Sequence, residues 1–353
     1  MTEKKRDLNL DLIRSFALVA VLVMHYYDNS GFYTIAMDSP GDFVMALVRM
    51  LFVPCVPLFI MLTGWLCRDK VLSWRYYLGM LRILEIYLLS SLACLVFEFA
   101  YLGNRPSLLR IISDIINFEI NGYAWYILLY GGLFLMIPFL NMMYRGCTGQ
   151  RQKQLLVFSF LALSVLPSLF NSFFQIYSIW WAKLYPICYY FTGAYLGEYL
   201  ERKKPGKYAL ALISGLLLFC LFNQFYFHGQ AEGYNNIHYD HYQAYILSVL
   251  LFALLASLDL GRLPSWCAKL IYKIAELSFA AYLLSWISDG IIYREFVPYF
   301  PVAEDRFIWI LVLIPLSLIF SLLMAQLIHW VYTPIDRLIR GRLMALLPPS
   351  QSN

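Results

Sequence analysis

Apolar stretches of about 17–25 residues recur roughly ten times along this chain, each long enough to cross a bilayer as a helix. They fall near residues 8–28, 43–66, 78–101, 123–143, 154–170, 183–200, 208–226, 242–259, 275–293 and 307–332. Pro167 breaks the fifth, and Lys183 sits inside the sixth. The pattern predicts an all-α, polytopic integral membrane protein with about ten transmembrane helices. Composition points the same way: 61% of residues are hydrophobic and 14% charged, against about 25% charged in a soluble domain. That excludes a water-soluble enzyme built on one large core. The 28 Tyr and 9 Trp suit interfacial belts and sites lined by rings.

The net charge of +5 is explained by orientation and not by nucleic acid, because the basic residues sit in short loops between the apolar stretches. With the N-terminus in the cytoplasm, the inside loops hold 19 of them: Lys4, Lys5, Arg6, Arg68, Lys70, Arg75, Arg145, Arg151, Lys153, Arg202, Lys203, Lys204, Lys207, Arg262, Lys269, Lys273, Arg337, Arg340 and Arg342. The outside loops hold four: Arg105, Arg110, Arg294 and Arg306. Arg14, Arg49, Arg82 and Lys183 lie in or at the edges of spans. This bias predicts that both chain ends are cytoplasmic.

No composition shift or long linker divides the chain. The expectation is one transmembrane domain over 1–345 and a short tail over 346–353. Lys4, Lys5 and Arg6 ahead of an apolar run imitate a signal peptide, but no small-residue cleavage site follows, so the run is expected to stay as the first helix. Seven cysteines without a CxxC pair predict no structural disulfide. The segment 100–122 has room for a short interfacial helix. In 235–242, His238, Asp240 and His241 have a spacing that can hold a metal, yet no further ligand is near, so a solvated loop end and no metal are expected.

Within the first span, LNLDLIRSFALVAVLVMHYYD, Arg14 and His25 are eleven positions apart. A helix places them on one face, about 16 Å apart along the axis and about 20° apart around it. A charge at the centre of a span costs about 2.5–3.5 kcal/mol, so two on one line predict a polar path through protein and a shared cavity. Histidine is the side chain that ordinarily exchanges a proton near neutrality. The same positions also suit an Arg14 that snorkels to the interface and a His25 hydrogen-bonded to a neighbouring helix.

LDLIRSFALVAVLVMH resembles the first helix of the acyltransferase family 3 membrane proteins, whose hallmark is Arg, ten residues, then His. VPLFIMLTGWL (56–66), GYAWYILLYGGLFLMIPFL (122–140), YYFTGAYLGEYL (189–200) and LSFAAYLLSW (277–286) resemble further segments of that family, in order. The resemblance implies transfer of an acyl group, usually acetyl, from cytoplasmic acyl-CoA to a hydroxyl of a cell-envelope glycan or lipid-linked saccharide. The setting implied is a bacterial cytoplasmic membrane. His25 would act as general base on the acceptor hydroxyl, with direct attack on the thioester or, as the other route, an acyl-histidine intermediate. Arg14 would position the donor, acetyl-CoA, at a phosphate or along its pantetheine arm.

Further residues take roles by the same resemblance. The family often carries Arg-x-x-Arg at the start of the third helix. Here Gly79 stands at the first position, so CoA phosphates fall to Arg82, Arg75 or other basic loop residues. Arg82 suits an interfacial anchor paired with Glu85 equally well. Asp11 would orient Arg14, and Asp28 would orient His25 or cap an exposed helix end. Trp125 and Tyr126 would line an acyl or sugar pocket or anchor at the interface. Ser285 stands where many members have His, and with Asp289 at i, i+4 it would contact substrate. Glu98, inside the third span, requires a partner or a watery cavity. The competing function is a transporter using Arg14 and His25 as a proton or anion relay; the absence of an internal repeat counts against it.

Overall fold

The computed structural model describes residues 6–346 apart from 173, 175 and 176, and the side chains of 340–342 and 344–346 are not considered. Lys4, Lys5 and positions 347–353 of the expected tail lie outside the described residues, as do the side chains of Arg340 and Arg342. The described chain is helical. Its α-helices are α1 (Leu8–Ser30), α2 (Pro40–Phe52), α3 (Cys55–Cys67), α4 (Trp74–Tyr77), α5 (Gly79–Phe97), α6 (Leu108–Ile116) and α7 (Trp125–Gly146). There follow α8 (Gln150–Ser164), α9 (Leu166–Phe170), α10 (Tyr185–Tyr199), α11 (Pro205–Tyr226), α12 (Tyr242–Ser257), α13 (Ser265–Phe296) and α14 (Ile310–Leu346). The only strand-like pairing among the described residues is an isolated bridge between Ala36 and Gln230.

Helices occur in every apolar window, but they are not equal. Among the described residues, seven helical segments are long and apolar enough to cross a membrane: 8–30, 40–67, 74–102, 125–146, 205–226, 265–299 and 304–339. The other three windows hold shorter helices. The chain breaks at Val165, two residues before Pro167, dividing that window into α8 and α9. Proline's missing N–H and its constraint on the preceding residue explain the break. α10 starts only after Lys183, at Tyr185, and has 15 residues; α12 has 16.

α1 is the central helix, packed against α2, α3, α12, α13 and α14. Its ends are closed locally. The Asp7 carboxylate accepts from Asn9 N (3.0 Å), and Gly31 at φ +80° ends the helix in the left-handed region that suits glycine. The Asn9 amide donates to the carbonyls of Leu255 and Leu258 at the end of α12 (2.8 and 2.9 Å). At the other end of α1 the buried Arg306 guanidinium donates to the carbonyls of Ser30, Phe300 and Pro301. Carbonyls that lack intrahelical partners are thereby satisfied without water.

α3 and α10 cross with their backbones in close contact. A Cβ on Gly64 would strike the Tyr190 carbonyl, and one on Gly193 would strike the Met61 carbonyl. Two facing glycines let helix backbones touch, which is how membrane helices gain packing when lipid is as apolar as their side chains. At the lipid-exposed edge, α11 and α14 leave Leu210, Leu218, Leu311 and Leu323 exposed. α6 exposes Leu108, Leu109, Ile112 and Ile116.

Gly193→Val is expected to lower the stability of the detergent-purified protein by about 1–3 kcal/mol, because the backbones must separate. Gly132→Val, on α7 with open space around its Cα, serves as the control and should leave the thermal midpoint near the parent value. An unchanged midpoint for Gly193→Val would refute the close crossing.

Candidate active site: two cavities with a common wall

His25, in the last two turns of α1, is 8% exposed and points its Nδ1 at Asp289 Oδ2 on α13, 3.0 Å away. The Tyr123 hydroxyl donates to the same oxygen (2.9 Å), and the Ser317 hydroxyl of α14 donates to Asp289 Oδ1 (2.9 Å). Behind them Ser288 Oγ lies 3.0 and 2.9 Å from the hydroxyls of Ser317 and Ser321. With Asp289 as acceptor, Nδ1 carries the imidazole proton and Nε2 is left as the free acceptor. Nε2 makes no hydrogen bond among the described residues. The Tyr123 ring stacks on the imidazole at 3.6 Å between centroids.

The loop before α7 holds Tyr123 in place. Asn121 donates to the Leu283 carbonyl (2.6 Å) and accepts from Tyr123 N (2.9 Å). The Tyr282 hydroxyl donates to the Tyr123 carbonyl. Gly122 lies so close to the Trp286 ring that a Cβ would overlap it. Three links to α13 therefore fix the turn that covers His25.

His25 lines a cavity of about 370 Å³ together with Asp28, Tyr33, Arg49, Trp125 and His238. Arg49 is buried, and its Nε donates to the Tyr33 hydroxyl (3.3 Å). Trp125 stacks on Tyr239 at 6.0 Å. Arg14 lines a second cavity, of about 380 Å³, with Arg82, Tyr126, Glu276, His329 and Tyr332. Both volumes are in the range that holds a small-molecule ligand. Among the described residues the Arg14 guanidinium has neither a hydrogen bond nor an ion pair. Arg82 lies over the Tyr332 ring at 5.4 Å.

The structure corrects the expectation of one shared cavity. Arg14 and His25 border separate cavities whose common lining residues are Val21, Val56 and Tyr282. Other expected partners also change. Asp289, not Asp28, orients His25; Asp28 instead faces the cavity beside Tyr33 and Arg49. Asp11 is bound bidentately by Arg6 (2.6 and 2.7 Å) and not by Arg14. Arg75 is exposed on α4 and lines neither cavity, since it belongs to the short helix ahead of the α5 face that carries Arg82. Ser285 is fully buried and donates to the Tyr282 carbonyl (2.7 Å), so it meets neither cavity. Trp125 and Tyr126, adjacent in sequence, are divided between the two. Glu98 accepts from Asn104 (2.6 Å).

Asp289, Tyr123, Ser317, Arg49, Tyr282 and His329 complete the site, and of these the sequence points only to Asp289, as a substrate contact. A carboxylate inside an apolar span is the signal for it. Nothing local marks Tyr123 or Ser317, which depend on tertiary contact. Burial and the neighbouring His238 and Arg49 charges push the His241 imidazole down to about 4, and it caps α12 by accepting from Gln243 N (3.4 Å). Among the described residues no group of three or more His, Cys, Asp or Glu side chains is arranged to hold a metal.

A family profile described as an acyltransferase domain matches residues 7–326. Searches of curated proteins and of solved structures return no match. The profile spans the His25–Asp289 pair, the whole lining of the His25 cavity and that of the Arg14 cavity apart from Ile328, His329 and Tyr332, and it ends within the first half of α14. With nearly the whole chain covered in this way, the protein belongs to acyltransferase family 3 and is a multi-pass membrane acyltransferase.

Proposed function

We propose that this chain transfers an acyl group, acetyl by preference, from cytoplasmic acyl-CoA to a hydroxyl of a cell-envelope glycan or lipid-linked saccharide in a bacterial cytoplasmic membrane. We place ten spans in that membrane, the three shorter helices included, with both chain ends cytoplasmic. The basic-residue bias of the loops supports this orientation. It puts the Arg14 cavity toward the cytoplasm and the His25 cavity toward the outside.

One observation carries the reading: a buried imidazole, oriented by a carboxylate through Nδ1, presents a free Nε2 to one cavity. Back to back with it lies a cavity holding the Arg14 guanidinium, its donors open to a ligand. Arg14 and Arg82 bind the anionic or amide-rich parts of the donor, and the thioester extends toward the wall between the cavities. Nε2 takes the proton from the acceptor hydroxyl as its oxygen bonds to the thioester carbon. The carbon–sulfur bond then breaks, and the CoA sulfur leaves with that proton. Asp289 holds the ring and balances the imidazolium charge while it exists. Trp125 and Tyr239 offer stacking faces to a sugar, and Asp28, Tyr33 and Arg49 offer hydrogen bonds to its hydroxyls.

Two cavities meeting at a common wall also suit the transporter reading, in which Arg14 and His25 would relay a proton or anion. Proton-driven solute uptake by vesicles in which acetyl-CoA neither binds nor reacts would select it.

His25→Ala should lower acyl transfer in reconstituted membranes by about 10²–10⁴-fold at normal protein level. Retained transfer would remove His25 as the base. Asp289→Asn keeps the shape but not the control of the Nδ1 proton, and a loss of about 10–100-fold is expected in kcat with KM for acetyl-CoA little changed. Arg14→Ala should do the converse, raising KM for acetyl-CoA about tenfold through the loss of a charged hydrogen bond. A Michaelis constant equal to that of the parent would place the donor elsewhere.

A further inference from the structure

Among the described residues Tyr282 is the one aromatic side chain in the wall shared by the two cavities. Its ring centroid lies 6.5 Å from those of His25 and Tyr123 on one side and 5.8 Å from that of Tyr126 on the other. Its hydroxyl is tied to the Tyr123 carbonyl, in the turn that covers His25. Val21 and Val56 complete the wall. Both are short and β-branched, stiff at χ1, and rotation of either opens little space. Tyr282 differs from them. One hydrogen bond and ring packing hold a long side chain there, and swinging it aside would join the cavities.

The separation has a chemical purpose if a thioester enters from the Arg14 side. Water admitted to it would bond to the acyl carbon, break the carbon–sulfur bond and release a carboxylic acid and the CoA thiol. Transfer and hydrolysis share these bond changes and differ only in the nucleophile. Excluding water until the acceptor is seated is the way to favour transfer.

We propose that Tyr282 is the specificity-determining residue that selects the acceptor hydroxyl over water: in place it seals the thioester from the His25 cavity, and displaced it admits the acyl group to the hydroxyl beside His25. This rests on the acyltransferase reading above. The tie to Tyr123 connects the seal to the acceptor side, because the loop that stacks on His25 also holds the Tyr282 hydroxyl. Seating of an acceptor against Tyr123 would loosen that tie.

The full chain, reconstituted in sealed vesicles, tests this with two readouts. The first is CoA thiol released from acetyl-CoA without acceptor. Tyr282→Ala should raise it by about tenfold or more over the parent, while Tyr282→Phe, which keeps the ring, stays well below that value. The second uses the native thiol of Cys67, which lines the Arg14 cavity. A small, charged, membrane-impermeant methanethiosulfonate applied from the His25 side should leave Cys67 unmodified in the parent and modify it in Tyr282→Ala, as read by mass spectrometry. If Tyr282→Ala does not accumulate, Tyr282→Leu, which shortens the side chain but keeps it apolar, is read in the same way. Thiol release and Cys67 labelling both at parent levels in the variant would overturn the proposal. Two-sided labelling with no thiol release or acyl transfer in any form of the protein would uphold the wall and refute the acyltransferase reading, so the two failures are distinct.

Discussion

A carboxylate buried among membrane helices is stable only when its oxygens find donors, and Asp289 finds them on three other segments. His25 comes from α1, Tyr123 from the turn before α7 and Ser317 from α14. None of these segments can shift without uncovering a charge in an apolar interior, where an unpaired ion is strongly disfavoured. The junction therefore fixes how α1, α13 and α14 meet, and the imidazole is set by the same bonds. Stability and chemistry draw on one cluster. The serines behind Asp289 extend it into α14 through hydroxyl hydrogen bonds of ordinary length, which a low-dielectric setting strengthens.

The arginines inside the helix bundle show how differently the fold treats like charges. Arg306 is enclosed by three carbonyls at the end of α1 and acts as a structural cap. Arg49 is buried at the edge of the His25 cavity, where its Nε donates to the Tyr33 hydroxyl. Arg14 has donors to spare and a cavity in front of them. A guanidinium held open in this way is preorganised for an anionic or carbonyl-rich ligand, and little of the protein needs to rearrange to receive one.

Much of this architecture is legible in the amino-acid sequence. Long apolar runs mark the helices, since hydropathy and length alone decide what crosses lipid. The three shorter helices are harder to read, because apolar windows report content and not where a backbone stops. Neither Val165 nor Lys183 is an unambiguous stop signal. Arg14 and His25 are visible because ionisable side chains in an apolar run stand out. Their separation into two cavities is not, because it depends on Tyr282 and Val56, aromatic or apolar residues with many possible neighbours. The same holds for partner choice. Asp28 is nearer to His25 in sequence, yet α13 brings Asp289 to it from 264 residues away.

The length of α12 has an effect on the far side of the molecule. Sixteen residues rise about 24 Å, some 6 Å less than the hydrocarbon thickness of about 30 Å. Ahead of its first turn the chain runs through a 3-10 turn over Ala231–Asn236 and a short loop, which bring Asn235, Ile237, His238 and Tyr239 to the His25 cavity. One more turn at the start of α12 would take His238 and Tyr239 into the helix, so the point at which this helix begins is what keeps the door to the imidazole ajar.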